Sequence, residues 1–135
     1  MSAAIGRWDM VLPLLSCAPI YLLIAMSSSA AGLAAASAAL GRRADVVISN
    51  GFLYLIIATG GLFIPLGKVP ALDAIGSVLP GQHGVRAIRQ LLAGEAWGLQ
   101  VVLEVVVLLG WSIIAVMLLS VQLRRARAQA IDDFA

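Results

Sequence analysis

Charge is scarce in this chain. Asp, Glu, Lys and Arg make up only 12% of its 135 residues, about half the share usual in soluble domains. Histidine and cysteine occur once each, as His83 and Cys17. One histidine excludes a histidine cluster around a metal, and one cysteine excludes a disulfide framework within the chain. Cys17, inside an apolar run, reads as a small buried apolar residue. No phosphate-cradling glycine loop is present, since GRRAD at 41–45 and GEAWG at 94–98 do not match a Walker pattern. Serines are frequent, but no base partner lies at a telling spacing. No catalytic residue, cofactor or metal site is therefore expected, and the chain does not read as an enzyme. The net charge of +2 comes without an aromatic-interleaved basic patch, so nucleic acid is not an expected partner. The start does not read as a signal peptide, because the apolar run after Arg7 and Asp9 continues far past the usual h-region.

Apolar sequence is abundant. Hydrophobic residues make up 61% of the chain, and the mean hydropathy is +1.01. The charges are bunched between long apolar runs. This pattern predicts an all-α, polytopic integral membrane protein forming a single membrane domain over residues 1–135. Its expected spans are about 10–40, 46–66 and 97–123, with a helical hairpin over 67–95.

Met10 to Leu40 contains no charged residue. A continuous helix of that length would reach roughly 45 Å, beyond the hydrocarbon core. Pro13 and Pro19 predict a kink or break near its start. Ser28, Gly32 and Ala36 recur every four positions, a small-residue spacing that lets helix backbones approach closely in lipid. General alanine bias produces the same pattern. Gly41 and the arginines of GRRAD suit a helix C-terminus, and the second span follows. Asn50, near its beginning, reads as an interfacial residue more readily than as a hydrogen bond to another helix. Trp97 marks the entry to the third span, which Glu104 interrupts and Arg124, Arg125 and Arg127 end. With three spans, Arg42 and Arg43 fall on the same side as those arginines. The positive-inside rule makes that side, and the C-terminus, cytoplasmic. The expected location is the cell (plasma or inner) membrane, multi-pass.

Gly60 to Gly94 is neither a clean span nor a polar loop. Pro65, Pro70 and Pro80 punctuate it, so no single helix runs through. Ala71 to Leu79 is too short to cross a bilayer. After Pro80, Val85, Ile88 and Leu92 share one helical face and Gln82, Arg86, Arg89 and Gln90 the other. The favoured reading is an external re-entrant hairpin, since broken backbone at membrane depth needs protein or a water-filled cavity around it. The alternative is an extramembrane loop with one amphipathic surface helix. His83, between Gly81 and Gly84, reads as a hinge or interfacial residue rather than a proton relay. Glu104 is expected inside the hydrocarbon near its outer boundary, paired with Arg86 or Arg89. Snorkelling to the headgroups is the plainer alternative.

The succession FIP, VP, LP and paired arginines resembles the C-terminal half of type-2 ABC exporter permeases. The matching residues are Phe63, Pro65, Pro70, Leu79, Pro80, Arg86 and Arg89. The resemblance implies a permease subunit, or the C-terminal part of one, that forms part of a translocation path through the lipid bilayer. It also implies a separate cytoplasmic ABC ATPase as partner and a second permease chain in a homo- or heterodimer. Family subunits usually have six spans and this chain has room for about three, so a split subunit, a truncation or a fragment is expected. On this reading Phe63, Pro65, Pro70, Pro80, Arg86, Arg89 and Glu104 are candidates for the hairpin and path, and Ser28, Gly32 and Ala36 for helix packing. The rival expectation is a small structural or regulatory membrane protein that packs against a larger complex and transports nothing.

Overall fold

A computed structural model describes residues 8–40, 45–60 and 67–132. These form six helices: α1 Trp8–Ser16, α2 Ala18–Ala39, α3 Asp45–Thr59, α4 Pro70–Gly76, α5 Gln82–Ala93 and α6 Gly98–Asp132. No strand occurs among the described residues.

The first apolar run is broken, as its prolines require. Pro19 cannot donate to the carbonyl four residues back, so α1 ends at Ser16. α2 restarts after Cys17 with the proline in its first turn, where no donor is needed. α2 and α6 are long and apolar enough to cross a membrane. Only 28% and 11% of the residues in their apolar stretches are buried within the chain. α3 has 15 residues and reaches about 22 Å, short of the roughly 30 Å hydrocarbon core. The remainder of the expected span, residues 61–66, lies outside the described residues. α6 does not stop at its arginines but continues through them to Asp132. Arg, Ala and Gln are good helix formers, so hydropathy ends there while the helix does not.

α2 packs along α6, and the two run in the same direction. Ile20 shares a cluster with Val101, Ser27 meets Glu104, and the Ser37 carbonyl accepts from Gln122 Nε2 at 3.1 Å. The approach is close because Ala31, Ala34 and Ala115 are all buried at the contact. Gly32 and Ala36 are exposed and Ser28 is only partly covered. The packed face of α2 thus lies one residue off the expected Ser28–Gly32–Ala36 stripe. Leu22, Leu33, Val102, Leu109 and Ile113 point outward. In a bilayer this arrangement is stable, because lipid is as apolar as a leucine side chain. α3 lies against α2 and touches α6 through Phe52 and Trp111, edge to face with centroids 5.3 Å apart.

Between α3 and α6, the described residues from 67 onward form a helical hairpin, with α4 and α5 joined by a turn over residues 77–81. α4 leans on α3, and α5 on α2 and α6. The buried side of α5 carries Gly84, Ala87 and Ile88, with Leu91 partly buried, while Leu92 is exposed and Val85 only partly covered. The expected inner face of Val85, Ile88 and Leu92 is therefore rotated. Small residues win the inner face because they admit neighbouring backbones, whereas bulk is tolerated outside.

Candidate functional site

Polar side chains are few, and the structure gathers most of the interior ones where the hairpin meets α2 and α6. The centre is Glu104, which is fully buried. Its Oε1 accepts from the Gly81 N–H at 3.0 Å and from the Ser27 hydroxyl, and its Oε2 from the Gly84 N–H at 2.9 Å. Ser27 also lies 3.1 Å from the Ile24 carbonyl, a second acceptor within reach.

This contact is a helix cap supplied from another helix. Gly81 is the residue preceding α5 and has no side chain with which to cap it. The first N–H groups of a helix have no intrahelical acceptors and carry the positive end of its dipole. In an ordinary capping box two side chains satisfy the first and fourth of these positions. Here one carboxylate from α6 satisfies both, through Gly81 and Gly84. That explains how a carboxylate is held inside an apolar assembly: charge-assisted bonds and the helix dipole offset its desolvation.

The glycines make the cap possible. Gly81 has φ +97°, a conformation that side-chain-bearing residues rarely adopt. At Gly84 a Cβ would stand 2.2 Å from Cγ1 of Ile24. Any larger residue would hold α5 off α2 and move its N–H away from Glu104.

A second cluster lies on the α4 side of the hairpin. Asp73 accepts from the Gly67 N–H at 2.8 Å, from Gln82 Nε2 at 3.1 Å and from Arg86 at 3.3 Å. Gln82 is almost fully buried, and its Oε1 has no partner among the described residues. A Cβ on Gly76 would lie 2.6 Å from that oxygen and 3.0 Å from the Thr59 carbonyl, so Gly76 lets α3, α4 and α5 meet. His83, also buried, spans a third gap, with Nδ1 2.9 Å from Gln100 Oε1 and Nε2 3.1 Å from the Ser77 carbonyl. The Trp111 indole donates to the Val78 carbonyl at 2.9 Å.

Of the residues singled out from sequence, Pro70 opens α4, and Pro80 is buried in the turn next to the buried Leu79. Phe63 and Pro65 lie outside the described residues. Glu104 is central, but Arg86 turns to Asp73, and the Glu104 carboxylate meets backbone N–H groups and Ser27. Arg89 is on the exposed side of α5. Gln82, expected on the polar face of the helix after Pro80, is instead buried, and Ser27, Asp73, Gln100 and Trp111 were not anticipated. Asp73 carried a signal, being the sole acid between Asp45 and Glu95. The absence of a capping side chain ahead of QHGVRAIRQLLA was another.

No family model, curated protein or solved structure matches this chain. The class defined by the fold is an all-helical chain with two helices able to cross a membrane. Among the described residues no group of three or more His, Cys, Asp or Glu could hold a metal ion.

Proposed function

We propose that this chain is a membrane-embedded subunit of an ATP-driven exporter, or the C-terminal part of one. In this reading α2 and α6 are spans, α3 begins a third, and α4–α5 is a re-entrant hairpin on the outer side. The observation that carries it is the capping of α5 by Glu104. Broken backbone inside a bilayer requires its polar groups to be satisfied by protein, and Glu104 does this from within the apolar stretch of α6. Such a fastened hairpin between spans agrees with the resemblance to type-2 ABC exporter permeases.

Sidedness is supported by the parallel course of α2 and α6. Leu40 lines the same crevice as Leu123 and Arg125, so α2 ends where α6 carries its arginines, and Arg42 and Arg43 follow in sequence. Both basic segments then face the cytoplasm. A separate cytoplasmic ATPase drives the cycle, and a second permease chain supplies the further spans. Closure of the ATPase shifts the path between subunits from inward-open to outward-open.

One observation favours a structural or regulatory role instead: Glu104, Ser27 and Gln82 are sealed inside the chain and line no open passage in it. Purification of the tagged chain from native membranes separates the two readings. The exporter reading expects a Walker-motif ATPase and a second permease chain in stoichiometric amounts. A stable assembly containing neither contradicts it and leaves the structural role.

A further inference from the structure

At the opposite end of the bundle from the hairpin, α2 ends beside α6 and leaves a crevice of about 440 Å³. Leu40, Leu119 and Leu123 form its apolar part, and Gln122, Arg125 and Gln129 its polar part. Leu40 follows the end of α2. Along α6, Leu119, Gln122 and Leu123 come from the turns where the hydrophobic run ends, and Arg125 and Gln129 from the turns beyond. The Gln122 amide N–H donates to the Ser37 carbonyl, which fixes its side chain against α2.

The chemistry of such a crevice is that of the boundary between acyl chains and headgroups. Among the described residues no acidic side chain lines it, and Arg124 and Arg127 flank Arg125 in sequence, so these groups favour an anion. A guanidinium matches a phosphate with two parallel hydrogen bonds. A free anion would make no use of three leucines. Leu40 and Leu123 are half-exposed or more, and the upper carbons of an acyl chain would cover them. Anionic lipids are enriched in the cytoplasmic leaflet and draw basic segments at span ends toward them.

We infer that this crevice is a binding site for an anionic phospholipid, with Arg125 on the phosphate and Leu40, Leu119 and Leu123 against the first carbons of an acyl chain. The inference rests on the membrane reading given above, but not on transport.

Native mass spectrometry of the full chain tests it, with phosphatidylglycerol and phosphatidylcholine of identical acyl chains as probes and inorganic phosphate as a third. The wild type should retain phosphatidylglycerol in preference to phosphatidylcholine. Arg125→Gln should weaken that retention by roughly tenfold, the scale of one lost charge-assisted contact. Arg127→Gln removes the same charge outside the crevice and should leave retention close to wild type. Leu123→Asn should weaken both lipids. Equal losses for Arg125→Gln and Arg127→Gln would reduce the effect to diffuse charge and overturn the site. So would equal retention of the two lipids, or displacement of phosphatidylglycerol by millimolar phosphate. Resistance of the protein to alkaline extraction from membranes reports the membrane reading separately. A protein that stays in the bilayer without a lipid preference loses this site alone, and one that is extracted loses both.

Discussion

The indole of Trp111 donates to the carbonyl oxygen of Val78, 33 residues earlier in the chain, at 2.9 Å. Trp111 lies about 20 Å along α6 from its first residue, so the tip of the hairpin reaches far down the helix rather than resting at its end. Glu104, seven residues before Trp111, binds the start of α5 about 10 Å nearer the mouth. These two contacts fasten the hairpin at two depths. A third contact, between His83 and Gln100, ties the same elements about 6 Å nearer the mouth than Glu104.

Glu104 should be the most sensitive position. Glu104→Gln keeps one acceptor oxygen and turns an NH₂ group toward a backbone N–H, which should destabilise the protein by about 2–3 kcal/mol. Ser27→Ala removes one donor and should cost about 1 kcal/mol. Thermal unfolding in detergent measures both, and their sum should exceed the loss in the double variant. Arg86→Gln, by contrast, should combine with Glu104→Gln additively, because Arg86 bonds Asp73. Strong coupling of Arg86 to Glu104 would restore the ion pair expected from sequence.

Gly84→Ala should destabilise by roughly 1–3 kcal/mol through overpacking against Ile24. Ile24→Ala in the same chain removes the obstructing atoms. The double variant should unfold at a higher temperature than Gly84→Ala alone. A lower temperature would mean that the close approach of α5 to α2 is not what requires glycine.

Asp73 joins Gly67, Gln82 and Arg86, so Asp73→Ala should loosen α4 without uncapping α5. Hydrogen exchange should quicken at Gly67 and along Pro70–Gly76, while the Gly84 amide keeps its protection. Uniform acceleration through α5 would show that the two polar clusters act as one.

The broad organisation was legible in the residues themselves. The all-helical class follows from long uncharged runs, the break near Cys17 from Pro13 and Pro19, and the separate helix after Pro80 from its own punctuation. The facing of each helix was not legible. Apolar periodicity finds the inner side of a helix only when the outside is water. Here Leu33 and Leu92 face outward while Ala31 and Ala87 are packed, so the small-residue spacing in α2 falls one residue off the packed face, and of the apolar stripe of α5 only Ile88 is buried. The partner of Glu104 was hidden for a different reason. A carboxylate in an apolar run brings a cation to mind, but the donors were backbone N–H groups of a helix whose own cap position is glycine. Nothing in pairwise charge counting shows those groups. Asp73 was overlooked because the surrounding stretch reads as apolar.

The central claim is that the hairpin tip lies within the bilayer beside α6. Depth can be measured directly with spin labels on single cysteines at Lys68, Val78, Glu95 and Leu109 in the Cys17→Ser background, reconstituted into liposomes. Val78 is well exposed on the chain and should tolerate the label. Collision with oxygen should be frequent and collision with a water-soluble nickel chelate rare at Val78, matching Leu109 on the outward face of α6. Lys68 and Glu95 should show the reverse. A Val78 label as open to the nickel chelate as the one at Lys68 would contradict the account and make α4–α5 an ordinary surface loop.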